Sequence, residues 1–380
     1  MKKLTKCILI FLAFLAVSCE KEFVDNTSTG IELVPPLGYI SFRTNVATKT
    51  PIITSLRGES FGVFGFSYSN TTNWGTARAV SSPDVFQNLK VTCDENGVPS
   101  YDLNSNNEDG NQLMPWSLLK LYSFFAYYPY DKDYVPNSQG TITDTDRIIY
   151  NGISTDTPRI TYNLPIDTNP VNPDILYDLM TAHSIDHNPV RDAVVSFNEK
   201  YTDGAMVAEF QHRLFCLEVV AQNFNDDNDI IIKEPELVIS NLKYKSITVP
   251  LQRGDEKFNP TMQPRTTEGD IKFAITGGVD LIDGGISVYA QNSSNYNGQV
   301  AVSGSKNVML IPQENLTGQI NFMMKEGETW VSKSQKFSSN IHFEEGKKYT
   351  ISLNFTGDAI VIVVSEAGSW EPFPVNYEFA

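Results

Sequence analysis

Charge is scarce in this chain of 380 residues: 19% are Asp, Glu, Lys or Arg, the formal net charge is −16, and there are four histidines. So acidic and His-poor a chain excludes the basic footprint that nucleic acid or an anionic membrane surface requires of a partner. A phosphate-cradling glycine loop and a nucleophile elbow are both missing, so the chain is not expected to be an enzyme, and no cofactor or metal is expected. No stretch keeps a helical period for three turns. The four cysteines are Cys7, Cys19, Cys93 and Cys216, too few for a disulfide-built scaffold. What is present is 41% apolar and 11% aromatic residues, enough for about two domains with real cores.

The stretch that organises the rest is Gly38–Tyr68. Ile40, Phe42, Thr44 and Val46 fall on one face of an extended segment, and Ser41, Arg43 and Asn45 on the other, which predicts a half-buried strand. Phe61, Val63, Phe64 and Phe66, set among glycines, predict a second strand apolar on both sides. Between them Lys49, Pro51 and Arg57 sit in a connector with no period, open to a trypsin-like protease. A cut there leaves the first strand held only by pairing, and such a strand is one that another molecule replaces.

The remaining chain reads as short β runs between breakers. Strands are expected at Val85–Thr92, Leu118–Tyr127, Arg159–Leu164, Met206–Phe210, Leu214–Gln222, Glu236–Ser240, Lys245–Val249, Gly285–Tyr289, Asn307–Leu310, Gln319–Met324 and Tyr349–Phe355. Short helical turns are expected around Asp174–Met180. Spacing of roughly ten residues with polar turns argues for all-β sandwiches. Apolar content drops over His183–Tyr201, which puts the expected boundary between domains at 38–187 and 188–380.

The N-terminus is a targeting segment. Lys2, Lys3 and Lys6 precede the apolar run Ile8–Val17, too short to span a bilayer. Leu15-Ala16-Val17-Ser18-Cys19 resembles the bacterial lipobox, with Ala16 where Leu is commoner, so residues 1–18 are read as a signal peptide and Cys19 as the lipidated residue. Residues 19–37, polar and ending near a Pro-Pro pair, read as a tether. The acidic residues straight after Cys19 resemble the surface-export signal of Bacteroidetes lipoproteins. Cys93 and Cys216 are then the cysteines left in the folded part, and Cys216, in an apolar strand, reads as a buried thiol.

Several patterns invite chemistry and are better explained without it. Tyr122–Tyr130 has the aromatics of a sugar platform but reads as a core strand, and Trp74 and Trp116 as packing residues. His183 and His187 have the spacing of two zinc ligands on a helix, yet a third ligand is missing. His212 reads as a half-buried strand histidine. Ser303-Gly-Ser-Lys306 matches S-x-x-K without its companion motifs, and Asn225–Asp229 reads as a solvated hairpin rather than a calcium loop.

Taken in order, the strand pair "FGVFGF", Trp116 followed by "KLYSFFAYYPY", then "YDLMTA", "EFQHRLFCLEVVAQN", "MLIPQENL", "FEEGKKYTISLNF" and the late Trp370 resemble the fimbrillin or Mfa-like family, the type V pilins and related surface lipoproteins of Bacteroidetes. The resemblance covers nearly the whole chain after the signal. It implies two transthyretin-like Greek-key β-sandwich domains in tandem and a lipoprotein delivered to the outer membrane. It also implies an Arg- or Lys-specific protease that removes the N-terminal strand, after which an extended segment of another pilin subunit fills the groove. Arg57, Lys49 and Arg43 are the candidate cleavage positions, with Arg57 favoured by the family's preference for Arg.

The donor then has to be a second period-2 segment near a chain end. Phe373, Val375, Tyr377 and Phe379 alternate with Pro374, Asn376, Glu378 and Ala380, so the tail is a candidate; the other reading is a last strand of its own domain. Two functions of different class remain at this stage. One is a structural subunit of a surface fimbria, whether stalk, tip or anchor. The other is a solitary surface lipoprotein that binds a glycan or a host or bacterial ligand.

Overall fold

A computed structural model of the chain describes residues 39–46, 56–77, 83–103, 113–117, 119–132, 135–136, 148–151, 158–188, 205–252, 259–275, 284–302, 307–357 and 359–367. The first half contributes β1 (Phe42–Val46), β2 (Ser60–Ser69), β3 (Phe86–Cys93), β4 (Pro99–Ser100), β5 (Lys120–Tyr128), β6 (Val135–Pro136), β7 (Ile148–Tyr150), β8 (Arg159–Asn163), β9 (Met180–His187) and β10 (Met206–His212). There follow β11 (Phe215–Asn223), β12 (Ile230–Ile239), β13 (Tyr244–Pro250), β14 (Thr261–Pro264), β15 (Ile271–Ala274), β16 (Ile286–Val288) and β17 (Gln299–Ala301). The last are β18 (Val308–Leu310), β19 (Gln313–Glu314), β20 (Thr317–Glu326), β21 (Thr329–Ser338), β22 (His342–Phe343), β23 (Lys348–Thr356) and β24 (Ala359–Glu366). One helical turn, α1 (Trp74–Ala77), and a 3-10 turn at Pro173–Ile175 are the helical elements described. The chain is all-β, as its pattern predicts.

Seven strands make one sheet in the order β1-β10-β9-β5-β2-β3-β4. Side chains alternate across it. On β2 and β5 the set Phe61, Val63, Tyr122, Phe124, Ala126 and Tyr128 enters a smaller core, while Phe64, Phe66, Tyr68, Phe125 and Tyr127 enter a larger one. The expectation that β2 is apolar on both faces therefore holds. Its glycines have a packing reason: a Cβ on Gly62 would stand 2.3 Å from the Tyr127 ring, and one on Gly65 2.9 Å from Phe86. Glycine lets those rings lie against the strand, and the Tyr127 hydroxyl reaches Asn88 Oδ1 at 2.6 Å.

The larger core is closed by three further sheets: β14-β13-β8-β7-β6, β15-β12-β20-β21 with β16 on β12, and β17-β11-β23-β24 with β18 on β11. Phe64 of β2 stacks on Tyr150 of β7 at 4.1 Å, and Phe322 of β20 meets Phe355 of β23 at 6.1 Å, so facing sheets interdigitate as in sandwiches. The sheets do not divide at residues 187 and 188. β10 lies beyond that point, yet its alternating Met206, Ala208 and Phe210 belong to the smaller core, and β13 pairs with β8 from Ser246↔Asn163 to Pro250↔Arg159. The drop in apolar content marks a connection between strands of one sheet.

β10 runs on into β11 through a buried polar joint. His212 Nδ1 lies 2.5 Å from Asp178 Oδ2, Arg213 Nε donates to Thr181 Oγ1 at 2.7 Å, and Arg213 Nη2 to the Pro250 carbonyl at 3.2 Å. Beyond the joint Lys348 and Glu218 form a buried ion pair at 2.7 Å. Removing one partner of such a pair leaves a buried charge uncompensated, so the joint fixes how the two cores meet.

Candidate functional site

The leading strand lies at an edge of the seven-stranded sheet. β1 runs parallel to β10, from Phe42↔Met206 through Val46↔Phe210, and this ladder binds one side of it. On its other side the hold is shorter: Tyr39 bridges Pro115, and the Ile40 N–H donates to the Met114 carbonyl at 2.7 Å. An edge strand so bound exposes backbone groups to any new strand that takes its place.

Its side chains follow the expected alternation. Ile40 and Phe42 are buried, Thr44 is half-buried, and Arg43 is exposed on the opposite face. Val46 keeps the ladder register opposite Phe210. Phe42 enters an aromatic cage, with ring centroids at 5.7 Å from Tyr101, 5.8 Å from Phe124, 6.1 Å from Phe86 and 6.4 Å from Phe61. Edge-to-face geometry suits their quadrupoles, and burial of Ile40 and Phe42 contributes about 1.5–3 kcal/mol each. The sheet curls until its two ends meet: Tyr101, just past β4, donates its hydroxyl to the Ile40 carbonyl at 2.7 Å and accepts from the Met114 N–H at 3.2 Å. Burial raises the Tyr101 phenol to about 12, against a smaller opposite effect of the Met114 N–H. Thr44 hydrogen-bonds the buried Cys93 thiol, which burial pushes up.

The candidate cleavage positions differ in their surroundings. Arg43 sits inside the β1 ladder opposite Val207, where a protease cannot draw the backbone out without breaking the strand. Arg57 is exposed in a turn between the buried Leu56 and Gly58, which has φ +70°. The Gly58 N–H donates to the Asp94 carbonyl at 3.1 Å and Glu59 N–H to Leu56 at 3.0 Å, so this turn must open before the Arg57–Gly58 bond is extended for cutting. Lys49, Cys19 and the tail residues Phe373, Val375, Tyr377 and Phe379 lie outside the described residues, as does Ser303–Lys306.

Sequence reasoning missed Tyr101, Met114 and Leu56 as holders of the strand. Leu56 was legible as the lone large apolar residue beside Arg57; nothing in the sequence marks the phenol of Tyr101 as a clamp on Ile40.

The other patterns resolve into structure. All of Leu121–Tyr128 is buried, and Trp74 and Trp116 are each 1% exposed, so these aromatics are core. His183 and His187 sit on a strand, and a bulge puts them on opposite faces, His183 opposite Phe125 and His187 opposite Tyr122 and 5.2 Å from Trp116. No group of three His, Cys, Asp or Glu side chains that could hold a metal occurs among the described residues. Asp186 accepts from the Tyr68 hydroxyl and the Trp74 N–H, each at 2.7 Å. In the hairpin after β11, Asp229 Oδ1 accepts from Ala290 N–H at 2.7 Å, and Asp227 from Asn292 Nδ2 at 3.1 Å. Those carboxylates clasp neighbouring loops. Cys93 and Cys216 are both free and buried.

A family model described as fimbrillin-like matches residues 47–370, from the residue after β1 to Trp370. The chain belongs to the fimbrillin-like family. The family is of a structural, fimbrial and cell-surface type. Among solved structures, a protein from Bacteroides ovatus described as a candidate cell adhesion protein is 12% identical, covering 88% of this chain and 99% of its own, with a TM-score of 0.46. The fimbrial anchor protein Mfa2 from Porphyromonas gingivalis is 10% identical over 87% of this fimbrillin-like chain and 97% of its own, with a TM-score of 0.33. A fimbrial assembly protein from Parabacteroides distasonis is 10% identical over 86% and 94%, with a TM-score of 0.33. No curated protein matches the sequence.

Proposed function

We propose that this fimbrillin-like protein is a fimbrial subunit built by strand replacement. It is exported as a lipoprotein anchored at Cys19 to the outer membrane, a trypsin-like protease cuts the connector after Arg57 or Lys49, and β1 leaves. A donor strand from another subunit then pairs with β10 and refills the cage around Phe42. The candidate donor is the tail, with Phe373, Val375, Tyr377 and Phe379 on one face. Main-chain bonds give affinity in such an exchange, and alternate side chains seated in pockets give specificity.

The observation that carries this reading is the one-sided ladder of β1, five register pairs on β10, combined with a single aromatic anchor. A strand bound that way leaves a preformed slot behind. The alternative, a solitary glycan-binding lipoprotein, loses its proposed platform because the β5 aromatics are buried.

Limited trypsin digestion of the purified protein, followed by electrophoresis without boiling, is expected to give a ladder of linked copies. The same protein ending at Ala367 is expected to give no ladder, since it lacks the donor. A digest that only unfolds, or that stays monomeric with the tail present, defeats the proposal. Sequencing the N-terminus of protein sheared from cells distinguishes the cuts: Gly58 or Thr50 as first residue marks the connector, Thr44 marks Arg43, and a retained Cys19 marks an uncut anchor.

A further inference from the structure

Where β8 ends at Asn163, β13 begins at Tyr244 and the connection from β14 to β15 crosses, a cleft of about 360 Å³ opens between two sheets of the larger core. That volume falls in the range of roughly 300–1,000 Å³ found for small-molecule sites. Buried Leu164, Ile166 and Ile271 close its base, and polar side chains line the rest. No lining residue belongs to β1, β10 or the cage around Phe42. Arg265 is the fixed group in this cleft: its Nη1 donates to the Leu242 carbonyl at 3.2 Å and to the Gly269 carbonyl at 3.3 Å. Its Nε and Nη2 have no partner among the described residues. Burial lowers the pKa of the guanidinium, and no carboxylate acts against it, although Asp167, Glu268 and Asp270 line the same cleft. Those three carboxylates are exposed and make no hydrogen bond or ion pair among the described residues. Lys272, two positions beyond Asp270, is by contrast paired with Glu236 at 3.2 Å. The cleft thus gathers charged groups of both signs that do not neutralise one another.

We propose that this cleft binds a neutral sugar, one hexose unit of a glycan. A hydroxyl accepts from a guanidinium and donates to a carboxylate at one atom, so vicinal hydroxyls suit a wall in which the two signs are interleaved. An anion would meet three carboxylates against two cations, Lys245 and Arg265, and a zwitterion needs poles of separate sign. The wall has no such poles: Glu268 and Asp270 flank Gly269, whose carbonyl holds Arg265. Asn169 accepts the Lys272 N–H on its Oδ1 at 3.3 Å, which leaves its amide N–H groups for a hydroxyl. The site stands apart from strand replacement at β1 and is present in the uncut chain.

The test uses the uncut chain carrying Cys19→Ser so that no lipid is added. Saturation-transfer NMR with the methyl glycosides of glucose, galactose, mannose and N-acetylglucosamine is expected to show transfer to at least one of them, with glucuronate and free alanine giving less. Arg265→Met removes the guanidinium and is expected to weaken binding about tenfold, the size of one charge-assisted hydrogen bond. Arg265 also braces two carbonyls, so Asp167→Asn is the second variant: it breaks no bond of the fold and is expected to weaken binding about fivefold with urea unfolding unchanged. No transfer to any neutral glycoside overturns the proposal, as does stronger transfer to glucuronate or alanine. Binding that both variants leave intact puts the sugar elsewhere and overturns it too. The trypsin ladder is expected to be the same in both variants, so failure of the sugar site and failure of strand replacement are told apart.

Discussion

The two cores are built with different permanence. Among the described residues, every buried side chain that precedes residue 58, Ile40, Phe42 and Leu56, packs in the smaller core, whereas the larger core begins at Phe64. The smaller core is an aromatic cage closed on one side by a strand with a five-position ladder. The larger one is knitted by long ladders, β11 with β23 over Cys216↔Lys348 to Asn223↔Phe355 and β20 with β21 over Thr317↔Ser338 to Glu326↔Thr329. Of the described residues, those up to Arg57 thus line one core and not the other. The difference teaches that a removable element is confined to a place where its loss is not global.

The comparison breaks if the two cores respond alike to a deleted ring. Phe215, fully buried against Phe343 at 5.0 Å and Tyr349 at 5.9 Å, belongs to the larger core, and Phe215→Ala is expected to cost about 3–5 kcal/mol in urea unfolding. Phe42→Ala deletes an equally buried ring, but its cost is capped by the free energy that docks β1, because a strand that is weakly held leaves rather than dragging the sheet with it. We expect no more than about 1.5–3 kcal/mol, together with faster trypsin cutting. Equal costs would make β1 an integral strand.

A smaller effect sharpens the same point. Tyr101→Phe keeps the ring in the cage and removes its hydrogen bond to Ile40, an expected loss of about 0.5–1.5 kcal/mol. It should appear as a roughly fivefold faster exchange of the Met206–Phe210 amides, with those of β11 unchanged. The raised phenol adds a pH signature. The unfolded phenol ionises from its ordinary 10, the folded one at about 12, so this contribution is whole below pH 10 and is lost as pH rises through 12. Tyr101→Phe should flatten that alkaline loss.

Much of this was legible in the sequence, for physical reasons that also explain the gaps. Alternation gave the face of β1, and the doubly apolar β2 announced its burial, because both signals come from the two-residue period of an extended chain. The apolar drop read over His183–Tyr201 begins inside β9, where half-buried His183, Ser184 and Asp186 dilute the pattern and Asp186 accepts from Tyr68. β21 was missed because its polar face, Ser332, Ser334 and Lys336, lies on solvent and hides the period. β24 was missed despite its Ile/Val run. Clamps such as Tyr101 on Ile40 depend on contacts 61 positions apart, which no local pattern carries.

The smallest expected effect lies at the seam between the cores. His183 faces the larger core opposite Phe125, and burial, with the Arg213 guanidinium second, lowers its pKa from the ordinary 6.5. As pH falls through 6.5 the unfolded chain takes up a proton that the folded chain refuses, so this contribution is whole above pH 6.5 and drains toward the lower folded value. His183→Gln should flatten the acid side of the stability profile in that window. The informative step is to repeat the profile after trypsin has removed β1. Arg213 is fixed by Thr181 and Pro250, neither of which belongs to the excised strand, so the slope assigned to His183 should survive cutting. A slope that vanishes with β1 would mean that the departing strand also holds the seam shut, and the line drawn between a removable core and a permanent one would have to move to the far side of β10.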